Sequence, residues 1–303
     1  MNNKVIIIAE AGVNHNGDFE NAKKLILAAA NAGADYVKFQ TFKADKLVSI
    51  DAQKAEYQKV NLKGGGDTQY EMLKKLEMSE AWHYDLIKCA ESLNVKFLST
   101  GFDEESIDFL DSINIDLFKI PSGEITNKPL LEHIAKKKKP IIVSTGMANL
   151  AEVRAAIDVL NKNGVQKKSI TILHCNTEYP TPMQDVNLLA MNTIQNELGV
   201  QVGYSDHTLG IEVPIAAVAL GAHVIEKHFT LDKKMEGPDH AASLEFEEFK
   251  SMIIGCREIE TALGDPENLI RKFSQGEMIN RENLGKSLVA CRPMKKGTIL
   301  YEN

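Results

Sequence analysis

PIIVST, residues 140–145, is a run of apolar and β-branched residues closed by two hydroxyls. It does not alternate between apolar and polar, so it suits a parallel strand covered on both faces better than an antiparallel strand with one wet side. A helix-like stretch, Pro129–Lys136, precedes it, and another, Leu150–Asn163, follows. The same rhythm runs outward in both directions. Strands are expected at Val5–Ala9, Tyr36–Phe39, Val95–Thr100, Leu117–Ile120, Pro140–Thr145, Ile170–Cys175, Gln201–Ser205 and His223–Phe229. The remaining helices are expected at Ala22–Ala32, Ala81–Leu93, Glu104–Ser112, Leu188–Glu197, Ile211–Leu220 and Phe246–Leu263. Asp18 stands where its carboxylate can cap the first helix, and Gly33, Gly164 and Gly221 stand where helices should stop.

Eight strands, each followed by a helix, predict an α/β fold of the (β/α)8 TIM-barrel type over residues 1–263. A doubly wound open sheet is the alternative, but no GxGxxG follows the first strand and the count of eight favours closure. One segment breaks the alternation. Lys43–Ser79 is a long excursion after the second strand, with Gly64-Gly65-Gly66 as its expected tip. In a barrel it would lie over the active-site face, as a lid or substrate-binding loop, with an idle surface loop as the alternative. After Leu263 the pattern changes: residues 264–284 are polar and irregular and read as a linker. Residues 285–303 alternate again, as the first hairpin of a small β domain would.

The chain has 303 residues, 35 Lys+Arg and 42 Asp+Glu, for a net charge of −7. At 44% hydrophobic and 25% charged it is globular in composition, which excludes disorder, collagen-like structure and coiled coil as descriptions of the whole. The acidic balance argues against nucleic acid as a partner, since that needs a broad basic surface. The Lys136–Lys139 cluster reads as a solvated helix end, with a phosphate patch as the alternative. No apolar run approaches a membrane span or a signal-peptide core, and the four cysteines have no metal or redox spacing. The expectation is a cytoplasmic protein with reduced thiols and no membrane partner.

Barrel enzymes do their chemistry at the C-terminal strand ends. Here every expected end is polar: Glu10; Lys38 and Gln40; Thr100; Lys119, Ser122 and Glu124; Ser144; His174, Asn176 and Tyr179; Ser205 and His207; Glu226 and His228. Singly, a hydroxyl there caps a helix and a histidine is a satisfied core residue. Together they would converge on one mouth. Lys38 and Lys119, ringed by the hydroxyls of Thr100, Ser122, Ser144 and Ser205, suit a phosphate and a carboxylate together. A Schiff-base lysine is the rival use. His207 and His228, on adjacent strands, suit a catalytic divalent metal, Mn2+ first and Mg2+ or Co2+ as alternatives, although no HxH or HExxH is present. Glu10 and Glu124 are candidate acid–base carboxylates, or else structural anchors for the lysines.

These residues sit in longer segments: IIAEAGVNHNGD (7–18), AGADYVKFQTFKADKLVS (32–49), KAEYQ (54–58), FLSTGFDEESIDFL (97–110), FKIPSGE (118–124), IIVSTGM (141–147), ILHCNTEYPTPMQDVNL (172–188), GYSDHT (203–208), IEKHFT (225–230) and GPDHAAS (237–243). In these segments and their order the chain resembles the sialic acid synthase family, enzymes that condense phosphoenolpyruvate with an N-acetylated hexosamine. The resemblance implies phosphoenolpyruvate held by Lys38, Thr100, Lys119, Ser122, Ser144, Asn176 and Ser205. It implies metal on His207 and His228, and the amino sugar against Gln40, Glu124, Tyr179 and Asp239. Glu10 and Glu124 would serve proton transfer and cation stabilisation. The implied mechanism is attack of C3 of phosphoenolpyruvate on the aldehyde of open-chain N-acetylmannosamine, addition of water at C2, and loss of phosphate by C–O cleavage to give N-acetylneuraminate. KAEYQ tilts the reading towards that product, with legionaminic or pseudaminic acid as alternatives, and residues 40–80 with the Glu178–Asp185 region should set the choice of sugar. A keto-acid aldolase or lyase, or a barrel that binds but turns over poorly, are the readings from other classes. The family also implies a homodimer and a C-terminal antifreeze-like domain, of which Ser287–Gly297 (SLVACRPMKKG) looks like the truncated start. Two further departures are Gly101, where many relatives have Pro, and Asn176, since some relatives place that asparagine where Thr177 sits.

Overall fold

The structure, a computed structural model, describes residues 4–54, 58, 61, 68–264, 270–299 and 301. Eight strands form one parallel sheet: β1 (Ile6–Gly12), β2 (Tyr36–Thr41), β3 (Lys96–Gly101), β4 (Phe118–Ile120), β5 (Ile141–Ser144), β6 (Ile170–Cys175), β7 (Gln201–Asp206) and β8 (Val224–His228). The hydrogen-bonded order is β3-β2-β1-β8-β7-β6-β5-β4, and β3 and β4 approach one another, so the sheet is a nearly closed barrel. The helices Phe19–Ala32, Glu80–Ser92, Glu104–Ser112, Lys128–Ala135, Leu150–Lys162, Ala190–Leu198, Glu212–Ala219 and Phe246–Leu263 follow the strands in turn. Asp18 caps the first by accepting from the Asn21 amide, and Gly33 ends it at φ 95°, a left-handed turn.

Side-chain alternation along the strands divides the core in two. Outward residues such as Ile7, Val37, Phe97, Val143 and Ile172 pack under the helices. Inward, Ile8, Tyr36, Leu98, Leu117, Ile142, Leu173 and Val224 form a separate apolar plug across the barrel. Strand β7 contributes Gly203 instead, where an added Cβ would come within 2.3 Å of the Val224 carbonyl oxygen. Two residues further along each strand, on the same face, stand Glu10, Lys38, Thr100, Lys119, Ser144, Cys175, Ser205 and Glu226. One strand period therefore lays a polar layer directly on an apolar one, at the C-terminal mouth.

Among its described residues the excursion after β2 includes the short helices Ala44–Leu47 and Gln69–Leu76. Thr68 and Glu71 form a capping box at the second. Val13, Phe42, Ala44, Met72, Leu73 and Leu76 make a small core of their own. The Ala44 amide donates to Glu77 Oε1 at 2.7 Å, and Lys74 reaches Asp45 at 3.1 Å, so the two helices are tied together. Asn61 Nδ2 donates to the Pro238 carbonyl at 2.7 Å, which carries the excursion across to the loop after β8. The Gly64–Gly66 tip and most of KAEYQ lie outside the described residues.

Residues 265–303 form a second compact unit. The segment read as an irregular linker contains a helix, Gln275–Leu284, started by a capping box between Ser274 and Glu277. The segment read as a hairpin forms no strand among its described residues. Leu288, Val289, Ile299 and Tyr301 are all exposed, and a two-stranded ribbon with no face to bury is not stable by itself. Among the described residues of the whole chain, no helix is long and apolar enough to cross a membrane.

Candidate active site

The polar layer is the closed end of a cavity of about 320 Å³. Parallel register sets its members side by side: Glu10 is level with Lys38 and with His228, and Ser205 with Glu226. Lys38 Nζ lies 2.7 Å from Glu10 Oε2 and 3.6 Å from Glu226 Oε2 and donates to Thr100 Oγ1 at 3.0 Å. Lys119 Nζ lies 3.3 Å from Glu226 Oε1, which also accepts from Ser205 Oγ at 3.0 Å. All four charged groups are buried. Two ammoniums facing two carboxylates make the formal sum zero, which is how a barrel interior tolerates two lysines.

Burial raises the pKa of Glu10, and Lys38 opposes this without cancelling it. Burial has the same tendency at Glu226, but there Lys119, Lys38 and the Ser205 hydroxyl outweigh it and hold the carboxyl at about 2. Glu226 is thus the firmly ionised partner and Glu10 the one that takes up a proton more readily. Burial opposes the Lys38 charge, yet Glu10 and Glu226 carry its pKa above the ordinary value. At Lys119 burial prevails over Glu226 and lowers it. Ser144 Oγ is buried in the cavity wall with no hydrogen-bond partner, a donor left for something in the cavity. Ser122 Oγ accepts from the Gly146 amide at 2.9 Å. A Cβ on Gly146 would meet Thr177 Cγ2 at 2.5 Å and Ser122 Oγ at 2.8 Å, so this turn has room only for glycine.

Above the floor, the rings of His207 and His228 are 5.4 Å apart, centroid to centroid, and Tyr179 packs against His207 at 4.1 Å. Burial lowers the His207 pKa to about 4, and burial with the neighbouring His207 and Lys38 lowers that of His228 well below its usual value. Both are neutral imidazoles at pH 7. His207 Nδ1 donates to the Asn176 carbonyl at 2.5 Å, which leaves the Nε2 lone pair for another partner. His228 Nδ1 is buried and unpartnered. The pair fits a divalent metal with two protein ligands, the rest of the shell coming from water or substrate. Among the described residues no cluster of three metal-ligating side chains exists. On the opposite face of β8, the buried Lys227 ammonium contacts Asp206 Oδ2 and the Thr208 carbonyl, both at 2.5 Å, and so clamps the turn that carries His207.

Gln40 donates to Glu10 Oε1 at 3.4 Å, and Gln40, Tyr179 and Asp239 line the cavity. Burial, with Glu10 nearby, pushes the Asp239 pKa up to about 7. Its loop is held by Ser243 Oγ donating to the Asp239 carbonyl and by the His240 ring between Thr230 and Asn16. Two expected residues are not brought to the cavity. Glu124 sits on the 3-10 turn Ser122–Glu124, where its Oε2 accepts from Asn127 Nδ2 at 2.6 Å. The Asn176 side chain turns to the Asp185 carbonyl and a second cavity, while Thr177 faces the mouth; what Asn176 offers the site is its backbone carbonyl, to His207. Glu226, given no role from sequence, joins the two lysines. Its signal was there, two residues before His228 and level with Ser205. Phe102 also lines the cavity unforeseen, as does Cys175, which was given no role; the Gln69–Leu76 helix lines it from the excursion expected over this face.

A family description, the NeuB family, matches residues 25–268. The chain is 54% identical to the N,N'-diacetyllegionaminic acid synthase of Campylobacter jejuni, over 99% of this chain and 88% of that protein. It is also 54% identical to the N,N'-diacetyllegionaminic acid synthase of Legionella pneumophila, over 96% of this chain and 81% of that one. Its fold matches the crystal structure of N-acetylneuraminic acid synthetase from Leptospira borgpetersenii in complex with citrate, with a TM-score of 0.80 and 33% identity over 93% of this chain and 92% of that one.

Proposed function

The chain belongs to the NeuB family of sialic acid synthases and is an enzyme of that class, and from that premise we propose that it condenses phosphoenolpyruvate with a diacetamido hexose to give a legionaminic-type nonulosonic acid and phosphate. The observation that carries the reading is the floor: two buried ammoniums, ringed by Thr100, Ser144 and Ser205 hydroxyls, at the closed end of one cavity. A compact, multiply charged anion such as phosphoenolpyruvate suits that set. The choice of sugar departs from the N-acetylmannosamine expected from KAEYQ. It rests on the two relatives that share 54% of this sequence.

In this reading C3 of phosphoenolpyruvate adds to the aldehyde of the open-chain sugar, water adds at C2, and phosphate departs with its bridging oxygen. Lys38 and Lys119 offset phosphate charge throughout, and Glu226 keeps both ammoniums aligned. Asp239, with its pKa near 7, holds a proton that the nascent sugar hydroxyl can take, and Glu10 is the second carboxyl able to carry one. His207 and His228 would hold a divalent cation, Mn2+ by preference, which supplies Lewis-acid polarisation of the aldehyde oxygen. Gln40 and Tyr179 would orient the sugar. The rival use of Lys119 as a Schiff-base nucleophile is favoured only by its lowered pKa. Phosphate release with Mn2+, measured across a panel of 2-acetamido and 2,4-diacetamido hexoses, tests the proposal. Release that depends on the diacetamido sugar supports it. Borohydride trapping of pyruvate on Lys119 in place of phosphate release would replace it with lyase chemistry.

A further inference from the structure

The cavity has two unlike ends. Its floor holds charges and hydroxyls, whereas the side beneath the excursion is walled mainly by Leu47, Met72, Leu73, Leu76 and Phe102, with the polar ends of Gln58 and Gln69 beside them. Met72, Leu73 and Leu76 do two things at once: they fill the excursion's own small core and they face the cavity. That wall is held in place by polar ties on its far side, where Lys74 joins Asp45 and Glu77, each at 3.1 Å. Among the described residues that line the cavity, the cations are Lys38 and Lys119, both at the floor and both already facing carboxylates. A second phosphate, as on a phosphorylated hexosamine, would meet no free cation among them. A hydroxyl turned to these five side chains, rather than to Gln58 or Gln69 beside them, would lose its hydrogen bonds to water and gain none, whereas a methyl would gain contact.

We propose that Leu47, Met72, Leu73, Leu76 and Phe102 are the specificity-determining wall of this enzyme, which reads the end of the sugar remote from the aldehyde and selects deoxy and N-acyl groups over hydroxyl and phosphate. This rests on the sugar-condensing reading above, but not on which sugar wins. Each methyl-sized group buried there contributes about fourfold in kcat/KM. An unpaired hydroxyl costs on the order of 10- to 100-fold.

The test is a ratio. kcat/KM is measured for a 2,4-diacetamido-2,4,6-trideoxy hexose and for N-acetylmannosamine, in the native protein, in Met72→Gln and in Leu47→Gln, with the KM for phosphoenolpyruvate and the melting temperature alongside. Met72→Gln keeps the side-chain length and adds a polar end. Leu47 is only half-buried, so its replacement keeps the question open if the first variant unfolds. The expected result is a fall of tenfold or more in the ratio of diacetamido to monoacetamido turnover, with the KM for phosphoenolpyruvate unchanged. Equal losses for both sugars in both variants would overturn the wall, because a purely structural role cannot tell the two sugars apart. A native protein that prefers N-acetylmannosamine would overturn the choice of substrate instead, and the wall would still stand or fall on the ratio.

Discussion

Replacing Glu226 by Gln should both weaken the fold and make it lean on its substrate. Glu226 is the anion between two buried ammoniums, 3.3 Å from Lys119 and 3.6 Å from Lys38. At an effective dielectric of about 20, each pair attracts by about 5 kcal/mol before desolvation is counted. Removing one partner of a buried pair costs about 3–5 kcal/mol, because the other charge stays buried. Gln keeps an oxygen for the Ser205 hydroxyl, and Lys119, already lowered by burial, can shed its proton, so the lower end applies. About 3 kcal/mol in a domain of this size corresponds to a fall in Tm of about 6–12 °C. Phosphoenolpyruvate then supplies the missing negative charge, so at equal ligand concentration it should raise the Tm of the variant by more than that of the native protein. The assay is thermal unfolding by circular dichroism with and without phosphoenolpyruvate. A variant that melts like the native protein, or gains no more from the ligand, would refute the floor as the anion site.

Further expectations follow from the same geometry. The folded Glu226 pKa of about 2 lies below its ordinary 4.5, so its contribution to stability is complete above pH 4.5 and is lost as pH falls towards 2; the native and Gln variant curves should converge there. Asp239 has the opposite sign: raised from 3.8 to about 7, it stabilises fully below pH 4 and loses that contribution as pH rises through 7. Asp239→Asn should remove this slope and the matching limb near pH 7 in kcat/KM, and a limb that persists would assign it elsewhere. His207→Ala should abolish Mn2+ binding seen by electron paramagnetic resonance while calorimetry still detects phosphoenolpyruvate; undiminished Mn2+ affinity would remove the metal from this pair. Asn176→Ala should leave the KM for phosphoenolpyruvate within about twofold, since His207 uses the backbone carbonyl there and the side chain faces away; a tenfold rise would restore its expected role.

The barrel was legible because buried parallel strands write themselves as uninterrupted apolar runs, and each run was found within a few residues of its strand. The layering was legible in principle too: Ile8 then Glu10, Tyr36 then Lys38, Leu117 then Lys119, Val224 then Glu226. What alternation could not say was which carboxylate meets which ammonium. That depends on register between strands far apart in sequence, and it is why Glu226 went without a role. The side-chain directions of Glu124 and Asn176 were not legible for the complementary reason: both lie just past strand ends, where a single turn decides whether a side chain faces the mouth or a neighbour. The excursion's place over the mouth was legible, but not which of its residues face the cavity, because Met72, Leu73 and Leu76 are ordinary core types at helical spacing and only the docking of Gln69–Leu76 gives them a second face. In the tail, polar composition hid a helix that its Ser274–Glu277 capping box announces.

The most direct test of the central claim uses phosphoenolpyruvate labelled with 18O in the bridging C–O–P position, incubated with a 2,4-diacetamido hexose and Mn2+. Condensation with C–O cleavage predicts inorganic phosphate that carries the label, released one for one with consumption of the sugar. Label left in the keto acid, or phosphate released without loss of the sugar, would contradict the account.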